Sequence, residues 1–337
     1  MPISFRLPAM AAATGLVAAV IALPAVAQQS GPRVLVPQAP VAPTAPAAPT
    51  QPGVSQPAGQ QQPATRRASV ALPPKVAEEA ERLGRAWLAR IQPKAPEVKP
   101  DLAQAYAAQD RFLAAAMPSR PAQLGWKLTL TARTTQEMFG ARAPVVGRIF
   151  AGQILENGAD VPRDVGARPT VEVDLAVTVK DAGIMQATNP LEVAAHLATV
   201  SAYIDVPDLL LASGEPLNAE TLAMINAGMR TGVVGKAVPV QPTPEFVAAM
   251  AEMQVKVLDG HGGLIVESRS SAIMGQPLNA LVWLIGHLKA RGESLKPGDL
   301  ITLGAISRPL PLKEGQVVRA VYTGLPGGPL EAQLSVK

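Results

Sequence analysis

Two acidic residues that lie two positions apart on a predicted strand have the types and the spacing to do chemistry. Residues 171–179 alternate between apolar side chains and polar or small ones, a period that predicts a β-strand with one face in a hydrophobic core. Glu172 and Asp174 share the other face, about 7 Å apart by the rise per residue. No Lys or Arg occurs in this segment, so the pair indicates either a solvated strand face or half of a divalent metal site.

The composition of the chain excludes several other kinds of chemistry. The chain has 337 residues and no Cys, which removes disulfides and thiolate nucleophiles. Its net charge is +4, and the basic residues are scattered rather than interleaved with the 3 Trp, 3 Tyr and 5 Phe. The sequence therefore predicts no nucleic-acid partner, and the scarcity of aromatic residues disfavours a carbohydrate-binding domain.

The N-terminus has the pattern of a secretory signal. Arg6 precedes an apolar run that ends at Leu23, and the small residues 25–27 supply a cleavage site. The run is short for a membrane span and polar residues follow it, so we expect cleavage after residue 27 and no transmembrane span in the mature chain. The predicted location of the protein is therefore periplasmic or secreted.

Two regions follow this predicted signal peptide of residues 1–27. Residues 28–73 consist mainly of Pro, Ala, Gln, Thr and Ser, a composition too poor in core-forming side chains to fold, which predicts a disordered linker. Residues 74–337 carry helical and strand patterns and are predicted to form one domain, with a helical part up to about residue 120.

Within this domain, the sequence patterns predict both helices and strands. Helices are predicted from Pro74 and from Asp101, and the capping patterns at Asn189 and Asn218 predict two more, the first of which reaches about residue 200. The remaining predictions are a helix at residues 278–288 and strands at residues 125–131, 171–179, 202–208, 253–257, 264–266, 300–303 and 316–322.

Five short motifs occur together and in a fixed order. They are Gly125-Trp126-Lys127-Leu128, Val171-Glu172-Val173-Asp174, Ile204-Asp205-Val206-Pro207-Asp208, Gly275-Gln276-Pro277-Leu278-Asn279-Ala280 and Leu295-Lys296-Pro297-Gly298-Asp299. This ordered set resembles the 2-keto-4-pentenoate hydratase branch of the fumarylacetoacetate hydrolase superfamily, over about residues 75–335. The resemblance implies an α+β fold, a mixed β-roll of the fumarylacetoacetate hydrolase C-terminal-domain type with N-terminal helices. It also implies a homo-oligomer.

The resemblance further implies a metal-dependent site. The family's Glu-x-Glu ligands match Glu172 and Asp174, and its third acidic ligand matches Asp205, a set of oxygen donors that suits Mg²⁺ or Mn²⁺. Lys127 matches a pocket lysine that would be catalytic, either by binding the carboxylate of a 2-oxo acid or by moving a proton. The alternative for Lys127 is a surface lysine on a strand edge. Two further residues, implied to bind substrate, are Asn226 and Thr302.

The implied function is that of a metal-dependent hydratase, a lyase that adds water to a small 2-hydroxydienoate or 2-oxo-4-enoate. Three departures from the family leave alternatives open. Asp174 replaces a Glu, and residues 141–155 lack the acid that positions water in catalytic relatives. The chain also carries a predicted export signal, whereas these hydratases normally act inside the cell. One alternative is a non-catalytic exported protein that retains the fold as a binding or scaffold module. Another is a carbon–carbon hydrolase or decarboxylase of acylpyruvate-like 2-oxo acids.

Overall fold

The computed structural model describes residues 70–337. The predicted signal peptide and residues 28–69 of the predicted linker lie outside the described residues, and both stay predictions. In the part of the chain that is described, no helix is both long enough and apolar enough to cross a membrane.

Two packed helices begin the described part of the chain. Helix α1 (Pro74–Ala89) has Pro at its first position, where the missing N–H would have no intrahelical partner in any case. Helix α2 (Leu102–Ala116) is capped by Asp101, whose carboxylate accepts a hydrogen bond from the Gln104 N–H. The Gln104 side chain in turn accepts one from the Asp101 N–H. Both starting points agree with the sequence prediction.

Five shorter α-helices, three 3-10 helices and fourteen strands follow within the described residues. The α-helices are α3 (Arg133–Met138), α4 (Pro190–Ala195), α5 (Ala219–Met224), α6 (Pro244–Glu252) and α7 (Pro277–Ala290). The strands are β1 (Gln123–Thr129), β2 (Val145–Phe150), β3 (Ile154–Glu156), β4 (Asp160–Val161), β5 (Thr170–Val179), β6 (Leu197–Val206), β7 (Thr231–Val234), β8 (Val238–Pro239), β9 (Gln254–Leu258), β10 (Leu264–Arg269), β11 (Leu300–Thr302), β12 (Leu310–Pro311), β13 (Val317–Thr323) and β14 (Leu330–Val336).

The strands form two sheets within residues 70–337. The larger sheet has nine strands, with the order β2-β1-β11-β5-β6-β7-β3 along its main path, while β12 pairs with β5 and β8 pairs with β6. The smaller sheet has five strands in the order β10-β9-β13-β14-β4. Mixed sheets together with N-terminal helices agree with the predicted α+β class.

Strand β5 is buried on both of its faces. Val173 and Leu175 belong to the main hydrophobic core on one face, and a second apolar cluster covers the other face at Ala176. Asp174 is 1% exposed and Glu172 is half-buried, although both are polar and lie on the same face as Ala176. The interpretation of this pair as a solvated strand face is therefore wrong, because the sheet is covered on both sides.

The helix predicted from Asn189 is correct at its start and wrong at its end. The Asn189 side chain accepts a hydrogen bond from the Glu192 N–H, as an N-cap does, but α4 ends at Ala195 rather than near residue 200. The chain from Leu197 onward forms β6 instead. Pairing with β5 along almost the whole of β6 outweighs the local helical preference of this segment.

Candidate active site

Strands β5 and β6 bring the predicted metal ligands onto one surface. Their antiparallel register places Glu172 opposite Asp205 and Asp174 opposite Tyr203. Residues that are directly opposite in an antiparallel pair project from the same face of the sheet, with Cβ atoms about 4.5–5.5 Å apart. The three acidic residues therefore share one face of one sheet, although they come from two strands.

Strands β11 and β1 add a lysine and a threonine to the same face. Thr302 lies opposite Ala176 of β5 and also opposite Lys127 of β1. The Lys127 side chain is 2% exposed, and its Nζ lies 2.6 Å from Oδ2 of Asp205, which is itself 2% exposed. The alternative of a surface lysine on a strand edge is therefore wrong, since Lys127 forms a buried ion pair with a predicted metal ligand.

The carboxylate of Asp174 holds a loop in place. Its Oδ1 accepts hydrogen bonds from the backbone N–H groups of Leu303 at 3.1 Å and of Gly304 at 2.9 Å, in the loop after β11. Gly304 has a φ of 109°, and a Cβ atom there would lie 1.9 Å from Oγ1 of Thr131, so this position requires glycine. One acidic side chain thus fixes the start of the segment that continues along the wall of a cavity.

The acidic cluster carries more negative charge than its one lysine balances. Burial, together with the charge of Asp205, raises the pKa of Glu172 from 4.5 to about 7, against the effect of Lys127. Burial and then Asp205 also raise the pKa of Asp174 well above its ordinary value, although backbone hydrogen bonds oppose the rise. Burial raises the pKa of Asp205 as well, and Lys127 opposes it. Such a cluster favours either a bound cation or protonated carboxyl groups.

A cavity of about 330 Å³ opens beside this cluster. Among the described residues, the charged side chains on its wall are Lys127, Glu172 and Arg308. The cavity therefore combines one acid and two bases with an apolar wall, an arrangement that suits a small acidic ligand with a hydrocarbon portion. The large apolar side chains of the wall are Leu130, Met138, Phe139, Leu209, Leu222 and Ile306.

The predicted set of three carboxylate ligands is not assembled around one point. Among residues 70–337, no three His, Cys, Asp or Glu side chains are grouped so that they could hold a metal ion. Loop amides bind Oδ1 of Asp174, and Lys127 contacts Oδ2 of Asp205. Oδ1 of Asp205 has no well-formed hydrogen bond in the described part of the chain, and Glu172 faces the cavity. These two carboxylates fit a hard cation, and the ligand role of all three residues stays a prediction.

The two residues predicted to bind substrate have different surroundings. Asn226 is fully buried, and both ends of its side-chain amide are used by the backbone of Arg148. Nδ2 donates to the Arg148 carbonyl oxygen at 2.8 Å, and the Arg148 N–H donates to Oδ1 at 2.7 Å. Thr302 is also buried, and its Oγ1 has no hydrogen-bond partner within the described residues. Asn226 therefore clamps β2, and direct substrate contact by either residue stays a prediction.

Sequence reasoning missed one member of the cluster, Tyr203. It is fully buried on the same face as Asp174 and Asp205, and its hydroxyl has no partner in the described part of the chain. Its ring lies over Gly232 of β7, where a Cβ atom would be 1.8 Å from the phenolic oxygen. The alternation at residues 201–205 carried the signal, because it puts Tyr203 and Asp205 two positions apart on one strand.

Known proteins resemble this chain in sequence over most of its described part. No family model matches it. It is 27% identical over 231 residues to a TodF product hydratase from Pseudomonas putida, a match that covers 67% of this chain and 82% of the relative. It is 26% identical over 241 residues to a 2-keto-4-pentenoate hydratase from Paraburkholderia phymatum, covering 72% of this chain and 89% of the relative.

One solved structure shares the fold over nearly its full length. A 4-oxalocrotonate decarboxylase from Pseudomonas putida G7, solved with magnesium and adipate, superposes with a TM-score of 0.67 at 20% identity. The match covers 78% of this chain and 97% of the decarboxylase, and it confirms the predicted fold class. These similarities confirm the predicted resemblance to the 2-keto-4-pentenoate hydratase branch of the fumarylacetoacetate hydrolase superfamily.

Few acidic residues are available around the cavity in the described part of this chain. Residues 141–155 contain no acid, and Arg148 of this segment instead contacts Asp110 at 2.6 Å and Glu293 at 3.5 Å. Neither of these two acids lines the cavity. Glu172 is the acidic residue that the described wall offers, so Glu172 and Lys127 are the groups placed to exchange protons with a ligand there.

Proposed function

We propose that this protein is a hydratase that adds water to a small 2-oxo-4-enoate or to its 2-hydroxydienoate tautomer. The observation that carries the proposal is the pairing of Lys127 with the acidic cluster at the wall of an apolar cavity. The curated relatives named as hydratases support the reaction class. The substrate would therefore be a small 2-oxo acid.

A divalent cation, Mg²⁺ or Mn²⁺, is the cofactor that fits this proposal. Glu172 and Asp205 would hold it, because they are adjacent, rich in negative charge and built of hard oxygen donors. Asp174, the third predicted ligand, would contribute only after its carboxylate turned away from the loop amides. The decarboxylase of the same fold was solved with magnesium, which supports a cation in this place. When bound, the cation supplies Lewis-acid polarisation of the 2-oxo group.

Lys127 would act on the substrate itself. Its ammonium group is held at the cavity wall by Asp205, so it can bind the substrate carboxylate and can give or take a proton as the enol and keto forms interconvert. The apolar wall would hold the hydrocarbon portion of the substrate. Catalysis would then depend on holding the carboxylate and the adjacent 2-oxo group at the charged end of the cavity, with the alkene against the apolar wall.

The direct test is an assay of the purified protein with 2-hydroxypenta-2,4-dienoate in the presence of Mg²⁺ or Mn²⁺. We expect the dienoate absorbance to disappear with formation of a 4-hydroxy-2-oxo acid, and we expect Lys127→Met and Glu172→Gln to reduce kcat/KM at least about 100-fold. Matched controls are the exposed Lys180→Met and Glu245→Gln, which should retain activity. Cleavage of acylpyruvates or release of CO₂ from a 2-oxo acid without hydration would reassign the reaction. Inertness towards all three substrate classes would favour the binding or scaffold alternative.

We also propose that the chain is exported and that it forms a homo-oligomer. The export proposal rests on the apolar run that ends at Leu23 and on the small residues 25–27. N-terminal sequencing of the protein from a periplasmic or culture fraction should begin at Gln28, whereas an intact N-terminus in the cytoplasmic fraction would contradict export. Light scattering of the purified protein measures the oligomeric state, and a monomer would contradict the second proposal.

A further inference from the structure

Tyr203 lies in the acidic cluster, and the proposed reaction assigns it no role. We propose that it is a positioning residue, whose hydroxyl donates a hydrogen bond to Oδ1 of Asp205 through one water molecule, since the two atoms do not bond directly in this structure. The role of Tyr203 in catalysis rests on the proposed hydratase function. The contact between Tyr203 and Asp205 does not depend on that function.

The first argument is the geometry of three strands. Tyr203 and Asp205 lie two positions apart on β6, so their side chains leave the same face of the sheet. Asp205 is directly opposite Gly232 of β7. The phenolic oxygen lies 1.8 Å from the place of a Cβ atom on Gly232, a place about 5 Å from the Cβ atom of Asp205. The hydroxyl is therefore beside the Asp205 carboxylate, on the side towards β7.

The second argument is the lack of other partners. The Tyr203 hydroxyl and Oδ1 of Asp205 are both buried, and neither has a well-formed hydrogen bond in residues 70–337. The hydrophobic side chains packed around Tyr203, which include Ile149, Ile154 and Met229, offer the hydroxyl no acceptor. Burial, then the charge of Asp205 and last that of Asp174 raise the pKa of Tyr203, and Oδ1 of Asp174 already accepts from the backbone of Leu303 and Gly304. A buried hydroxyl without a partner is costly, and a water molecule shared with a nearby carboxylate oxygen removes the cost.

The consequence is that each oxygen of Asp205 has one partner from the protein and keeps a second lone pair for a cation. Oδ2 contacts Lys127, while Oδ1 is linked to Tyr203 through the water molecule, so the plane of the carboxylate is fixed relative to Glu172 across the strand pair. Second partners of this kind orient the carboxylates that hold metal ions. Gly232 belongs to the same arrangement, because any side chain there would displace the phenol.

The test is a double-mutant cycle that needs neither metal nor substrate. Urea midpoints are measured in chelator for the wild type, Tyr203→Phe, Asp205→Ala and the double variant. We expect Tyr203→Phe to lower the midpoint in the wild-type background and to leave it unchanged once Asp205 is absent. An equal change in both backgrounds would overturn the proposal. If Asp205→Ala does not fold, Asp205→Leu replaces it in the cycle, and the expected changes in the urea midpoint are the same.

The matched control is Tyr106→Phe. Tyr106 is also buried, and its hydroxyl accepts a hydrogen bond from the Val146 N–H at 3.0 Å, away from the acidic cluster. Loss of the Tyr106 hydroxyl should lower the urea midpoint by the same amount in the wild type and in Asp205→Ala. Coupling of the same size for Tyr106 and Tyr203 would overturn the proposal, because the coupling would then be a property of the fold as a whole.

A second readout separates this proposal from the hydratase function. Tyr203→Phe should weaken Mn²⁺ binding about tenfold by calorimetry, as loss of a partner of a metal ligand does, whereas Tyr106→Phe should not. Unchanged Mn²⁺ affinity in Tyr203→Phe would overturn the positioning role while leaving the hydratase proposal intact. If the wild type binds no Mn²⁺ and hydrates no dienoate, the hydratase proposal fails, and the urea cycle alone decides on Tyr203.

Discussion

The ammonium of Lys127 and the carboxylate of Asp205 lie 2.6 Å apart, although β11 and β5 separate their strands in the sheet. The lysine side chain therefore passes over two strands to reach its partner. Both groups are almost completely removed from water, so each depends on the other for charge compensation. Several consequences of this cluster can be measured.

Removal of the lysine should destabilise the protein in a way that depends on pH. Lys127→Met leaves the acidic cluster without its positive charge, and we expect the free energy of unfolding to fall by about 1–3 kcal/mol at pH 8. At pH 5 the loss should be smaller, because the carboxyl groups can then be neutral. Urea denaturation at the two pH values measures this, with the exposed Lys180→Met as control. A loss of the same size at both pH values would contradict the account.

Ionisation of Glu172 should oppose folding of the metal-free protein. Its pKa is about 7 in the folded protein and 4.5 in the unfolded chain, so between these values the folded state binds more protons. The contribution of Glu172 to stability is therefore complete below pH 4.5 and is lost as the pH rises through 7. Each tenfold difference in acidity between the folded and the unfolded state corresponds to about 1.4 kcal/mol of stability.

Thermal unfolding between pH 4.5 and pH 8, in the presence of a chelator, measures this loss. We expect Glu172→Gln to flatten the decline, since the amide has no proton to lose in this range. Mn²⁺ should restore stability to the wild type at pH 8 and should do less for Glu172→Gln. Identical pH profiles for the wild type and the variant would contradict the raised pKa.

The loop after β11 should loosen when Asp174 is changed. Asp174→Asn weakens, and Asp174→Ala removes, an acceptor of the Gly304 N–H and one of two acceptors of the Leu303 N–H, which also donates to the Leu175 carbonyl oxygen at 2.9 Å. Each buried hydrogen bond of this kind contributes about 1 kcal/mol. Hydrogen–deuterium exchange should therefore accelerate at residues 303–309 and not in α1. Because Ser307 and Arg308 of this segment line the cavity, we also expect KM to rise. Unchanged exchange in Asp174→Ala would contradict the anchoring role.

Asn226 should prove to be a structural clamp. Asn226→Ala leaves the N–H and carbonyl groups of Arg148 without their partners, and we expect the free energy of unfolding to fall by about 2 kcal/mol. Urea denaturation and steady-state kinetics on the same variant separate the two roles. A raised KM with unchanged stability would instead assign Asn226 to the substrate.

Local signals in the sequence were sufficient for much of the fold. The alternation of residues 171–179 predicted β5, and the caps at Asp101 and Asn218 marked the starts of α2 and α5. These features depend on neighbours within one or two turns or on a strict period, so they are readable along the chain. The end of α4 was wrong because its position is set by the pairing of β6 with β5.

Part of the candidate site could also be predicted from the sequence. The resemblance pointed to Glu172, Asp205 and Lys127, and the structure brings these three together. The resemblance could not show which partners each side chain has. The carboxylate of Asp174, for example, accepts hydrogen bonds from backbone amides that are 129 and 130 residues away in the chain. Strand register decides which side chains meet, and register is a property of the assembled sheet.

The reach of Lys127 over two strands also bears on how the protein persists once it is folded. The contact with Asp205 joins β1 to β6 across β11 and β5, so it needs four strands in register, and we expect it to form after they assemble. An interaction that is absent from the transition state does not speed folding; it slows escape from the native state. We therefore expect Lys127→Met to speed unfolding more than it slows folding, so that the buried ion pair lengthens the lifetime of the folded molecule.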